Sequence, residues 1–295
     1  MENRNSHYWW DSGVRAKRAA KHTEYVSTYL KEPTERSIKD SKIYHNCASL
    51  IEVEHLKRYE HTKESLLCMD TISAILKIKH TYDDILTDSL DGKSRILCAL
   101  NFASFKHPGG MFLNGSCAQE EMLCHESNLY NILVQMYDTF YAENKSKEKN
   151  NQHLYQDSLI YTPNVIVERV EKKPVSCDII TCAAPNAHAA KKYHQVHAKD
   201  ILYALSQRIL GILKVARMRK VDDLIVGAFG CGVFGNDPYV VASIFRHYIR
   251  SIFNGYFDHI VYAIPDSRSI NYKAFEQILV DHPVVKSFDG IICNY

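Results

Sequence analysis

The stretch from Asp223 to Pro238, DLIVGAFGCGVFGNDP, constrains the fold of this chain more than any other segment. The apolar run Leu224-Ile225-Val226 suits a strand covered on both faces. It opens into a loop with glycines at 227, 230, 232 and 235, and Asn236-Asp237-Pro238 then begins a helix. Asn or Asp is a natural helix cap, and proline fits the first helical position because its missing N–H would have no partner there anyway. A strand, a glycine loop and a helix N-terminus together form a cradle of backbone N–H groups suited to phosphate. The loop is neither a P-loop nor the dinucleotide fingerprint, since no Gly-Lys-Ser/Thr follows and the glycine spacing differs.

The same alternation recurs along the chain. Strands are expected at 95–101, 157–168, 177–183 and 259–264, besides the one before the glycine loop. Helical composition marks 12–31, ending before Pro33, and a second run from Thr71 with Asp70 or Thr71 as cap. Further helices are expected at 198–217, where Ile201, Leu205, Ile209, Ile212 and Ala216 share a side, and at 238–253. From Gln119, the residues Met122, Leu129, Leu133, Met136 and Phe140 mark one helix with a buried stripe, interrupted by a gap around Glu126. Residues 143–152, ENKSKEKNNQ, read as an exposed loop. Strands alternating with helices imply an α/β fold with a mainly parallel sheet covered on both faces. No repeat or linker demands a division. We expect one unit spanning 1–295, in which 1–90 form a mainly helical N-terminal extension packed on a core of 91–295.

Composition excludes several classes. A hydrophobic fraction of 46% supports a sizeable core, and a formal net charge of +2 from 36 basic and 34 acidic residues argues against a dedicated nucleic-acid surface. Local basic runs such as 15–18 and 217–220 read as solvated helix faces or ends. The nine cysteines have no C-x-x-C spacing, and Cys98 and Cys182 sit inside apolar strands, which is the usage of a reduced compartment. Met1 to Asp11 carries Trp9-Trp10 but no apolar core of a signal peptide, and no stretch approaches the length of a membrane span. These readings place the chain in the cytoplasm. The fifteen histidines show no paired ligand spacing, so no metal is assigned.

A second segment supplies chemistry. NFASFKHPGGMFLNGSCAQEE, from Asn101 to Glu121, ends a buried strand in Gly109-Gly110 and brings Gln119, Glu120 and Glu121 behind them. Neighbouring glycines allow positive φ and close approach of backbone to a ligand. An amide and two carboxylates are suited to grip sugar hydroxyls and move protons. Acidic residues are also favoured in any first helical turn by the helix dipole, so the pair alone decides nothing. Neighbouring helical positions point about a hundred degrees apart, which makes a facing pair of glycosidase carboxylates a poor template. Both glycine segments lie at strand carboxyl ends, where α/β sheets bind ligands. An acidic sugar grip and a phosphate cradle on one edge describe a binder of an ADP-ribose-like molecule.

The combination GG-x8-QEE and GAFGCGVFGNDP resembles the microbial-type poly(ADP-ribose) glycohydrolases, a macrodomain family. NFAS, CAAPNAHA at Cys182 to Ala189, and VYAIPD at Val261 to Asp266 belong to the same resemblance, which is densest from Arg95 to Asp266. It implies a macrodomain-like fold and a glycosidase that hydrolyses the ribose O-glycosidic bond of poly(ADP-ribose) or another ADP-ribosylated acceptor. It assigns the acid/base role to Glu121, ribose positioning to Glu120, and an apolar lid over the distal ribose to Phe234. Gln119, Gly109, Gly110 and Asn101 on one side, and Gly230, Cys231, Gly232, Val233, Gly235 and Asn236 on the other, would complete the ligand site. Cys231 suits a small filler better than a nucleophile, Asn101 suits a strand-end turn nearly as well as a ribose contact, and Asn186 is equally ambiguous. No metal or redox cofactor is implied. The partners are ADP-ribose, its polymer and ADP-ribosylated proteins, with the chain a monomer. The third signature glycine is Met111 here, at a cost of roughly 1–2 kcal/mol if the turn needs positive φ. Two alternatives therefore stand beside the polymer hydrolase: an ADP-ribose reader blunted by Met111, and an enzyme releasing mono-ADP-ribose from another acceptor.

Overall fold

A computed structural model describes residues 11–50, 56–86, 95–147, 151–169 and 172–281. Trp9, Trp10 and Cys293 lie outside them. The chain runs α1 (Ser12–Tyr29), α2 (Lys31–Asp40), β1 (Lys42–His45), β2 (Lys63–Leu67), α3 (Thr71–Leu86) and β3 (Leu97–Phe102). It continues through α4 (Gln119–His125), α5 (Leu129–Gln135), α6 (Ala142–Lys147), β4 (Ser158–Val167), β5 (Val175–Cys182) and α7 (Ala187–His194). The last elements are α8 (Ala198–Met218), β6 (Asp223–Val226), α9 (Pro238–Ser251), β7 (His259–Ala263) and α10 (Ile270–Asp281).

The strands form one seven-stranded sheet in the order β1-β4-β5-β3-β6-β7-β2. From β5 to β2 every neighbour is parallel, whereas β4 is antiparallel to both β5 and β1. The α/β class and the mainly parallel, mixed sheet expected from the alternation are what the chain adopts. Both faces are covered. On β3, Cys98 and Leu100 join a core with α8 and α9, while Leu97 and Ala99 join a second core with α1, α3, α4 and α5. Period-two alternation thus sends successive residues of one strand into two different apolar layers.

The first ninety residues do more than pack on the sheet, because β1 and β2 are its two edges. Both are short, begin with lysine and are only partly buried, so neither has the apolar run that reveals a central strand. Pro33 ends no helix; it sits in the first turn of α2, where a backbone N–H has no helical acceptor to lose. The helix expected from Gln119 onward is broken at the gap the pattern showed. Glu126 is drawn to Arg169 at 2.7 Å, Ser127 bridges to Val167, and the Asn128 side chain ties Thr34 to the Ile166 N–H. A π-helical turn at Tyr137–Tyr141 follows. The solvated stretch expected at 143–152 is helical in its first half, and buried Asn144 donates to the Phe105 carbonyl at 3.4 Å.

Candidate active site at the carboxyl edge of the sheet

The loops after β2, β3, β5, β6 and β7 leave the same edge of the sheet and enclose a cavity of ≈ 670 Å³. Gly110, Met111, Gln119, Glu120 and Glu121 line one side, and Gly230, Gly232, Val233 and Phe234 line another. The two segments singled out in the sequence therefore do face one space. Phe102, Ser104, Thr71 and Ile264 also line it, and the sequence reading missed them.

The acidic side is built from β3 outward. The Gln119 amide lies along the end of β3, accepting from the Phe102 N–H at 2.8 Å and donating to the Leu100 carbonyl at 2.8 Å. A further bond to the Thr71 hydroxyl, at 3.2 Å, ties α3 to the same point. Gln119 thus fastens the start of α4 to the sheet; its polar atoms are engaged by the protein. Glu120 is buried, accepting from the Ser104 N–H at 2.6 Å and from Asn101 Nδ2 at 3.3 Å. Asn101 also donates to Thr181 and is fully buried behind Glu120, so it orients the acid and does not reach the cavity. Glu121 Oε1 accepts from the Met111 N–H at 2.9 Å. Its other oxygen has no hydrogen-bonding side chain or backbone group among the described residues, and Glu121 lines the cavity.

Burial pushes the Glu120 carboxyl up to about 8, with the neighbouring Glu121 charge adding to it; hydrogen bonds from Ser104, Asn101 and Gly109 oppose the rise. Desolvation prevails over the donors and over the helix terminus. The divergence expected of neighbouring helical positions is undone at the tips of these side chains. A Cβ on Gly110 would stand 2.4 Å from Glu121 Oε1 and 3.1 Å from Glu120 Oε2, so both acids converge on one glycine. Gly110 also has φ +61°, and a Cβ on Gly109, at φ +67°, would stand 2.7 Å from the Tyr130 ring. Met111 has φ −105°, so the third signature position needs no left-handed backbone and the methionine carries no strain there. Its side chain is half exposed at the cavity wall.

The glycine loop is the opposite case. It closes on itself through Cys231 N–H to Ala228 O, Gly235 N–H to Gly232 O and Asn236 N–H to Gly230 O. The buried Asn236 side chain staples Gly230 and Pro185 by donating to their carbonyls at 3.0 and 2.9 Å. Asn236 is therefore a loop brace, with its amide turned from the cavity. Cys231 and Gly235 also lie off the lining: Cys231 packs on the α8–α9 core with its thiol pushed up by burial, and Gly235 rests on His188. The N–H groups of Gly230, Gly232, Val233 and Phe234 find no protein acceptor among the described residues. A Cβ on Gly232 would meet nothing within 4 Å. The cap of α9 is Asp237, which accepts from Tyr239 N–H at 2.8 Å, so a carboxylate already occupies that helix end and the loop alone offers free donors. Asn186 is the cap of α7, accepting from Ala189 N–H. Phe234 packs on Tyr155, which stacks on Phe105 with ring centroids 4.0 Å apart.

Residues 15–170 match the catalytic domain of microbial-type PARG. The chain belongs to that family. The crystal structure of poly(ADP-ribose) glycohydrolase from Thermomonospora curvata superposes with a TM-score of 0.77 at 28% identity, over 90% of this chain and 99% of that one. The same enzyme bound to the inhibitor ADP-HPD gives 0.75 at 28% identity, over the same shares of 90% and 99%. The Deinococcus radiodurans enzyme in complex with ADP-ribose gives 0.70 at 30% identity, over 83% and 96%. No curated protein sequence matches. The family assignment and the macrodomain-like fold inferred from the two glycine segments are thus borne out. Among the described residues, no group of three or more His, Cys, Asp or Glu could hold a metal ion, and no helix is long and apolar enough to cross a membrane.

Proposed function

We propose that this chain is a glycosidase that hydrolyses the ribose–ribose O-glycosidic bond of poly(ADP-ribose) and releases ADP-ribose, with Glu121 as general acid and base. One observation carries the reading: two buried carboxyls converge on Gly110 across the same cavity from a loop of unpaired N–H groups. Glu121 has the free oxygen. It gives its proton to the glycosidic oxygen as the bond to the anomeric carbon breaks, then takes one from the attacking water. Glu120, held by Asn101 and Ser104, orients the ribose hydroxyls. The loop N–H groups hold the diphosphate, and its charge steadies the cation developing at the anomeric carbon.

Negative φ at Met111, which leaves the turn unstrained, favours the hydrolase over a blunted reader. The eight cysteines among the described residues are free, which supports a reducing, cytoplasmic setting. The test is turnover of labelled poly(ADP-ribose) beside mono-ADP-ribosylated protein, for the parent and Glu121→Gln. The variant should lose turnover while ADP-ribose affinity stays within a few-fold, since it keeps shape and hydrogen bonding but moves no proton. Near-normal turnover in the variant ends the mechanism, and release only from the mono-modified protein changes the acceptor.

A further inference from the structure

Next to the phosphate loop lies a basic, aromatic face that the cavity does not use. The backbone of α7 meets the loop directly: His188 N–H donates to the Phe234 carbonyl at 3.0 Å. From Ala187 to Lys199 the sequence AHAAKKYHQVHAK holds three lysines and three histidines and not one carboxylate. Lys191, Lys192, His197 and Lys199 are all exposed. Asp200 follows them, and Asp237 caps α9 beyond Gly235, so the positive charge is bounded on either side.

Aromatic rings link this face to the cavity wall. Phe234 packs edge-on against Tyr155 at 5.9 Å, Tyr155 lies 6.2 Å from His153, and His153 lies 6.2 Å from Tyr193 and hydrogen-bonds His194 at 3.0 Å. Tyr193 ends the series 64% exposed, with the Lys192 ammonium 5.2 Å from its ring centre. Most of the Tyr193 ring is open to solvent beside a lysine. That arrangement is how proteins bind single-stranded polyanions that carry bases: cations follow the phosphates, and rings stack the bases.

We propose that α7 and the segment to Lys199 form a track for the part of a poly(ADP-ribose) chain that extends beyond the unit in the cavity. Tyr193 stacks an adenine there, and Lys191, Lys192 and Lys199 face diphosphates. The occupant follows from charge complementarity and from continuity with the loop that binds diphosphate, and so rests on the functional reading above. Its consequence is a preference for long polymer over a single ADP-ribose unit.

The test measures binding of end-labelled long poly(ADP-ribose) across a salt series, on a Glu121→Gln background so that the polymer survives. ADP-ribose binding is followed by calorimetry in parallel. K191E/K192E should weaken polymer binding roughly tenfold and make its salt dependence shallower. Tyr193→Ala should weaken it roughly fivefold. ADP-ribose affinity should not change in either, because neither alters the cavity. Unchanged polymer affinity and salt slope with ADP-ribose binding intact overturns the track. So does single-stranded RNA of equal charge that binds as tightly as the polymer, which makes the face a general polyanion surface. A parent that binds polymer with this sensitivity yet does not bind ADP-ribose keeps the track and sinks the functional reading. A parent that binds neither sinks both.

Discussion

The two glycine segments use the same residue for opposite ends. In the acidic turn, glycine is there because the protein has already filled the space: Gly110 lies against both carboxylates, and Gly115 leaves 1.9 Å between a Cβ and the Ser12 carbonyl of α1. Gln119, Glu120 and one oxygen of Glu121 are all engaged by protein groups. In the loop from Gly230 to Gly235 the protein leaves the space empty. A Cβ on Gly232 would meet nothing within 4 Å, Val233 is 86% exposed, and four N–H groups find no acceptor among the described residues. A catalytic group must be held within a fraction of an ångström, whereas a phosphate site must leave its donors to the ligand. The closed turn is over-determined and the open loop under-determined.

That contrast can be broken in order of effect. Gly110→Ala puts a methyl group against Glu121 Oε1 at φ +61°. Turnover should fall roughly 100-fold or more, with about 1–2 kcal/mol lost from stability by thermal or denaturant unfolding. An active, equally stable variant would show that the turn has slack. Gly232→Val should do the reverse. Its Cβ enters open space, so Tm stays put while ADP-ribose affinity drops roughly tenfold, because a side chain now stands where phosphate approaches. A lowered Tm with unchanged affinity would move this glycine from the ligand to the fold.

A third effect is a pH dependence confined to the closed side. Burial raises Glu120 from 4.5 to about 8, so the folded protein binds this proton more tightly than the unfolded chain does. The stability of the neutral acid is complete below 4.5 and drains away as pH climbs through about 8. Glu120→Gln, which does not titrate, should therefore flatten the fall of Tm over that window. Parallel Tm curves for parent and variant would mean that the acid ionises in place without penalty.

Much of this was legible in the chain. The apolar strands, the helix of Ile201, Leu205 and Ile209, and the two glycine segments with their acidic and helix-capping neighbours are periodic or compositional signals. Such signals act over a few residues, so they survive without the fold. The break at Glu126 showed as a lapse in the stripe, but its cause is Arg169, more than forty residues away. The edge strands β1 and β2 left no trace, because an edge needs no apolar run.

The sequence by itself determined that two glycine segments would end strands, and that carboxylates and N–H donors would gather at one edge of a sheet. Tertiary structure decided which of those residues meet the ligand space. Gln119, Asn101 and Asn236 are all polar and all adjacent to the motifs, yet their amides serve β3, Glu120 and the Gly230 carbonyl. It also decided that Met111 carries no strain, and that Glu120 holds its proton to about 8. Backbone dihedrals at a turn and the desolvation of a carboxyl depend on what packs around them, and for these residues that means β3, α3 and α1, which come from distant parts of the chain.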